Sequence, residues 1–160
     1  MTQALPKRVR QFAEAAAALG VEVDVREFPD GTRTAADAAR AIGVDVDQIV
    51  KSLVFMVDSK PLLALTAGGN RVDEQRLRAV RGAGEARKAT AAEAREATGY
   101  AIGGTPPFGH PAQLPVLLDP RLTTFDTVWA AAGTHTHVFP ITPAELLRTT
   151  GAEVVDVTAG

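Results

Sequence analysis

Cysteine is absent from the 160 residues, so no disulfide, thiolate metal site or cysteine nucleophile is available. Serine is nearly absent too. Only Ser52 and Ser59 occur, and neither lies in the Gly-x-Ser-x-Gly turn that presents a serine nucleophile. The three histidines, His110, His135 and His137, lack the spacing of a zinc signature, although His135 and His137 could face one side of a strand. No metal and no organic cofactor is therefore expected. Long apolar runs are missing, and nothing approaches a membrane span. The first eight residues lead into an alanine-rich amphipathic pattern rather than a signal peptide's apolar run, so a cytoplasmic protein without a membrane partner is expected. A charge excess is lacking as well: the formal net charge of −2 argues against tight nonspecific binding to DNA or any long nucleic acid. What remains, 46% apolar and 22% charged residues over 160 positions, fits one domain spanning 1–160 with a real core.

The charge that is present is unevenly spread. From Arg71 to Arg95 there are seven basic and four acidic residues, and Lys7, Arg8 and Arg10 add a second basic patch. Each patch taken singly reads as a solvated helix face, and a short contact with an RNA end would need no more charge than this.

Patterning gives an interspersed set of elements. Val9, Phe12, Ala13, Ala16 and Leu19 repeat at helical spacing before Gly20, and Val21, Val23 and Val25 then alternate as in a half-buried strand. Phe28-Pro29-Asp30-Gly31 reads as a turn. Thr34 caps a short helix that Gly43 stops, and Asp47 is expected to cap the next turn. Strands over Leu53–Val57 and Pro61–Thr66 flank an Asp58-Ser59-Lys60 hairpin turn. A helix over 73–80 breaks at Arg81-Gly82-Ala83-Gly84. Thr90 with Glu93 and Thr142 with Glu145 form two capping-box patterns, for helices ending at Gly99 and near Gly151. Strands are expected at 115–118 and 127–131, and Val154, Val155 and Val157 suggest a closing strand. Hairpin connections without regular strand–helix alternation predict an α+β fold with a mixed sheet or barrel.

Two segments carry chemistry. Tyr100-Ala101-Ile102-Gly103-Gly104-Thr105-Pro106-Pro107-Phe108-Gly109-His110 packs three glycines and two prolines into a loop after a helix. Glycine lets backbone N–H groups approach a ligand, and proline shapes a loop without adding donors. Such a loop can aim amides at a developing negative charge, as acyl transfer requires; it is also a good tight connection. Lys51 sits where a capped turn meets an apolar strand. It either snorkels or holds a phosphate or carbonyl oxygen.

Several motifs occur in order: Lys-Ser-Leu-Val at 51–54, Ala-Gly-Gly-Asn-Arg-Val-Asp at 67–73, the run from Ala89 to Gly104, Pro-Pro-Phe-Gly-His at 106–110, Leu-Pro-Val-Leu-Leu-Asp at 114–119, Val-Trp-Ala-Ala-Ala-Gly-Thr at 128–134 and Val-Phe-Pro-Ile-Thr-Pro-Ala-Glu-Leu-Leu at 138–147. Together they resemble the YbaK/EbsC family, whose domain is also found inserted in bacterial prolyl-tRNA synthetases. The resemblance spans nearly the whole chain and implies a free-standing member with a mixed, barrel-like sheet flanked by helices. It implies a trans-editing deacylase that hydrolyses the ester of mischarged tRNA, typically tRNA for proline carrying a small non-cognate amino acid. Partners would be the aminoacyl-tRNA acceptor end and prolyl-tRNA synthetase, with a monomer or homodimer both open.

In that reading Lys51 matches the family's essential lysine, and Gly103 to Pro107 match its Gly-x-x-x-Pro loop. Amides near Gly103, Gly104 and Thr105 would polarise the ester carbonyl, and Lys51 would anchor the terminal phosphate or orient the substrate. An ester is already activated, so a positioned water suffices without a covalent intermediate. Phe28 and Thr34 lie where relatives shape the amino-acid pocket. Asn70, Pro107, His110 and Asp119 are further candidates for substrate contact, each also readable as a local turn or loop former. The chain departs from many relatives in having Gly133-Thr134-His135-Thr136-His137, with threonine where they carry a histidine. Either His135 or His137 takes that place, or neither does. Two other functions compete: a non-catalytic module that grips a tRNA end or a synthetase, and a hydrolase of a non-tRNA ester or nucleotide.

Overall fold

The computed structural model describes residues 5–29 and 34–159. The turn expected at Phe28–Gly31 lies partly outside them. Five helices and eight strands are present among the described residues: α1 (Lys7–Ala18), β1 (Arg26–Glu27), α2 (Ala35–Ile42), β2 (Val50–Val57), β3 (Lys60–Ala67), α3 (Glu74–Arg81), β4 (Ala86–Lys88), α4 (Ala91–Thr98), β5 (Val116–Leu118), β6 (Val128–Ala131), β7 (His137–Ile141), α5 (Pro143–Thr150) and β8 (Glu153–Val154). One sheet has the order β4-β2-β3-β5-β8 and is mixed, with β3–β5 and β5–β8 parallel. The other is β1-β7-β6 and antiparallel. Ile49 bridges Trp129, so the sheets meet at the start of β2 and along β6. The expected mixed α/β fold is present, as two joined sheets rather than one closed barrel.

Local chemistry explains most boundaries. Thr34, Asp73, Thr90 and Thr142 each accept a backbone N–H at the start of a helix, and Gly43, Gly82, Gly99 and Gly151 end those helices in the left-handed conformation. The Thr90–Glu93 box is reciprocal. The Thr142–Glu145 box is only half formed, because the Glu145 carboxylate turns to Arg148 at 2.6 Å. The β2–β3 hairpin turns through Asp58 and Ser59, both at positive φ, and the Asp58 carboxylate then accepts the Gly84 and Glu85 amides.

Three expectations are corrected. Val21, Val23 and Val25 are partly buried against the core but form no strand; pairing starts only at Arg26. Asp45, not Asp47, caps the Val46–Gln48 turn, leaving Asp47 to accept from Gly69 and Arg121. His135 lies in the turn before β7 and His137 is that strand's first residue, so the two do not share a strand face.

The main core joins α1, both sheets and the loop after α4. Phe12 packs on Phe108 (ring centroids 5.2 Å apart) and on Phe139 (5.0 Å), and Phe108 meets Phe139 edge-on at 5.9 Å. Helix α1 thereby holds the glycine–proline loop against β7. A second core group, including Ala38, Ile49, Trp129 and Val138, seats α2 on the junction of the sheets.

Candidate functional site

Where α2, β2, β6 and the loop after α4 converge, they enclose a cavity of about 360 Å³. Ala35 and Ala38 of α2, Ala130 and Ala131 of β6, Trp129 and Val138 form its apolar walls. Small residues on facing elements are what leave the space open, since a packed core would otherwise fill it. Arg26 lies over the Trp129 ring at 5.1 Å and steadies that wall. Thr34, Lys51, Ser52, Thr105 and His135 supply the polar rim. No carboxylate lines the cavity among the described residues.

Lys51 is half-buried, and its ammonium donates to the Asn70 carbonyl. Burial first, then the neighbouring Lys88 and Arg71 charges, hold its pKa below the ordinary lysine range, while Asp119 and Asp47 pull the other way.

The loop is built by turns. Gly103 has φ +90°, and the Gly104 N–H donates to the Ala101 carbonyl at 3.0 Å, so the Gly104 amide is spent on the turn. A Cβ at Gly104 would lie 2.8 Å from Thr134 Cα, which is why this position must be glycine. Gly103 and Thr105 line the cavity, and their N–H groups make no backbone hydrogen bond among the described residues. The Thr105 hydroxyl donates to Ala101 at 3.1 Å.

The other candidates divide cleanly. Thr34 lines the cavity while capping α2 through Asp37 N–H. Phe28 sits outside it, packed on the group that contains Trp129 and Val138. Asn70 and Asp119 lie behind Lys51 and do not line the cavity. Pro107 and His110 border a separate hollow beside α1. Burial holds His110 below its ordinary pKa, and its Nε2 lies 2.7 Å from the Pro106 carbonyl, so it fastens the loop. His135 reaches the cavity, whereas His137 is buried with Nδ1 2.7 Å from the Thr134 hydroxyl and 3.1 Å from that of Thr136.

Sequence reasoning missed Ser52, Ile102 and the alanine walls. Ser52 Oγ is buried and has no hydrogen-bond partner among the described residues. Ile102 is 63% exposed at the cavity mouth. The signal for the walls was present in Ala130–Ala132 and Ala35–Ala36, small residues that alone read as ordinary core. A neighbouring hollow of about 220 Å³ shares Ser52, Leu53, Ile102 and Thr105 with the cavity and extends to Lys88.

The chain resembles known proteins over this whole region. A family model described as an aminoacyl-tRNA editing domain matches residues 29–149. A proline–tRNA ligase of Streptococcus gordonii is 30% identical over 111 residues, 69% of this chain and 18% of the ligase. That of Maridesulfovibrio salexigens is 33% identical over 85 residues, 53% of this chain and 14% of the ligase. The chain thus spans under a fifth of these relatives' length. A solved structure of a protein proposed as a trans-editing enzyme for prolyl tRNA synthetase superimposes with a TM-score of 0.93 at 44% identity, covering 98% of this chain and all of the other. With its glycine loop, lysine and small-walled cavity lying inside the matched span, this chain belongs to the aminoacyl-tRNA editing domain family.

Proposed function

We propose that the protein is a deacylase acting in trans: it hydrolyses the ester of mischarged aminoacyl-tRNA, with tRNA for proline carrying a small non-cognate amino acid as substrate. One observation carries the reading. A cavity walled by Ala35, Ala38, Ala130 and Ala131 is also lined by Lys51, Gly103 and Thr105. Alanine walls suit a small apolar side chain, and editing exists because a synthetase pocket discriminates poorly among such side chains.

The aminoacyl group occupies the cavity, and the adjoining hollow that reaches Lys88 takes the terminal nucleotide. The Gly103 and Thr105 amides polarise the ester carbonyl as charge builds on its oxygen, the role open to donors held in a rigid loop. Lys51 orients the substrate through its terminal phosphate or carbonyl oxygen. Water is the nucleophile. Ser52 Oγ, the serine hydroxyl at the cavity, has no partner among the described residues to take its proton, which supports attack without an acyl-enzyme. A ribose hydroxyl of the tRNA positions that water, since no carboxylate lines the cavity among the described residues. Prolyl-tRNA synthetase is the partner that supplies the mischarged ester.

The test is release of amino acid from tRNA for proline charged with alanine, cysteine, serine, threonine, 2-aminobutyrate or proline. Wild type should release one or two small amino acids and spare proline, and Lys51→Ala should lose about 100-fold or more of that rate. An unchanged rate in Lys51→Ala removes the lysine from the mechanism. Binding of the charged tRNA without release from any member returns the non-catalytic reading.

A further inference from the structure

We propose that Asp119 and Asn70 are positioning residues, which act on the substrate only by fixing where the Lys51 ammonium stands. The inference rests on Lys51 being the working cation of the site, as proposed above.

The geometry is a relay of hydrogen bonds running away from the cavity. Lys51 Nζ donates to the backbone carbonyl of Asn70. The Asn70 side chain donates from Nδ2 to Asp119 Oδ2 at 2.8 Å, and the same oxygen accepts the Ala67 N–H at 3.1 Å. The other oxygen, Oδ1, accepts the Arg121 N–H at 2.9 Å. A carboxylate that is 6% exposed is therefore fully occupied in clamping both ends of the turn from Ala67 to Asn70. The turn closes on itself through the Asn70 N–H to the Ala67 carbonyl, 2.9 Å. A second acid pins its middle: the Gly69 N–H donates to Asp47 Oδ1 at 2.9 Å, and Arg121 Nε ties the other Asp47 oxygen at 3.1 Å. Glycine is required at position 68, where a Cβ would stand 2.2 Å from the Val46 carbonyl oxygen; a Cβ at Gly69 would stand 2.5 Å from Asp47 Oδ1 and displace that carboxylate. All this structure converges on the orientation of one carbonyl, and that carbonyl holds Lys51.

A lysine side chain has many rotamers, and ordering it on binding costs entropy. An acceptor fixed in advance removes the need to order it when substrate arrives. The charges around the amine come from four directions. Lys88 of β4 and Arg71 disfavour the ammonium, as does burial, while Asp119 after β5 and Asp47 before β2 favour it. The acids that keep the amine charged are the ones that hold the turn, so position and protonation have one source.

The experiment follows the Lys51 amine directly. Lysine labelled with ¹³C and ¹⁵N is incorporated into wild type, Asn70→Ala and Asp119→Asn, and Lys51 is assigned by its loss in Lys51→Ala. Each protein is titrated by NMR, and kcat and KM for the hydrolysed aminoacyl-tRNA are measured across the same pH range after subtracting spontaneous hydrolysis. Asp119→Asn keeps an acceptor for Asn70 but removes the charge. It should move the Lys51 midpoint down, and the alkaline fall in kcat should move with it. Asn70→Ala keeps the carbonyl but cuts its tie. It should lower kcat by up to about 100-fold with little change in KM. A merely structural role would change thermal stability and leave the titration where it was. Unmoved Lys51 midpoints together with unchanged kcat in the folded variants overturn the proposal. If Asp119→Asn does not fold, Asn70→Ala decides alone through kcat. The titration needs no substrate: a shifted midpoint without any hydrolysis supports the relay and overturns the function, whereas hydrolysis at the wild-type kcat with an unshifted midpoint does the reverse.

Discussion

Ile102 leaves 63% of its surface in water at the mouth of the cavity, where a bound substrate would meet it. Ile102→Ala should change stability by no more than about 0.5 kcal/mol, as for exposed positions generally. It should raise KM for the aminoacyl-tRNA roughly tenfold with kcat retained, because one apolar contact in a pocket is worth about 1–3 kcal/mol. A melting curve and steady-state kinetics check the pair; a stability loss with normal KM would place Ile102 in the fold instead. Other site residues differed in how far the sequence alone exposed them. Lys51 and the glycine loop stand out locally, because a cation beside apolar residues and glycines in a row are visible in one dimension. Asn70 and Asp119 look like turn formers in the sequence, and both are so in fact. Their connection to Lys51 spans 19 and 68 positions, a distance that no local pattern reports.

Helix α4 leads into the loop, and its start is over-determined. Thr90 accepts the Glu93 N–H at 3.1 Å, Glu93 accepts the Thr90 N–H at 2.9 Å, and Arg87 of β4 grips the Glu93 carboxylate at 2.8 Å through both nitrogens. The Arg87 guanidinium, followed by the Thr90 amide, lowers the Glu93 pKa from its ordinary 4.5 to about 2. The depressed value means that this stabilisation is complete above the unfolded-state pKa and is lost as pH falls from about 4.5 towards 2. Glu93→Gln should therefore flatten the melting-temperature profile in that window and leave its slope at neutral pH unchanged. Thr90→Ala should cost about 1 kcal/mol at any pH, read from denaturant unfolding. At the other side of the loop, α1 contributes Phe12 to the Phe108–Phe139 contact. Phe12→Ala should cost about 3–5 kcal/mol and loosen the loop as well as the core. A kcat unchanged at a temperature where the variant remains folded would mean that α1 does not support the loop.

Across the whole molecule charge is nearly balanced, at −2, yet basic residues are concentrated between Arg71 and Arg95, and one of them, Lys88, lines the hollow next to the cavity. Few phosphates can be engaged by so modest an excess. KM for aminoacyl-tRNA should rise with salt along a shallow log–log line, with a slope of order one to three phosphate contacts. Hydrolysis of a small aminoacyl ester should be nearly indifferent to salt. Equal salt dependence for both would remove the tRNA body from recognition.

Capping residues, glycine stops and hydrophobic period determined the helices and the central hairpin from the sequence alone, since each rests on chemistry within a few residues. The same reasoning over-read Val21–Val25, because alternation reports burial on one side and says nothing of a pairing partner; Val21, Val23 and Val25 are half-buried and pair with no strand among the described residues. It passed over β7, where Pro140 looks like a strand breaker. Strand β1 ends before that position, so no donor is needed there, and only β6 lies alongside. Tertiary structure decided what the motifs do together. It spent the Gly104 amide on a turn, turned His110 and Pro107 away to another hollow, and brought alanines from α2 and β6 to face each other. The physical reason is range. Caps and turns are closed by neighbours in the chain, whereas a cavity and the orientation of its lysine are set by contacts between segments that meet only after the sheets have joined.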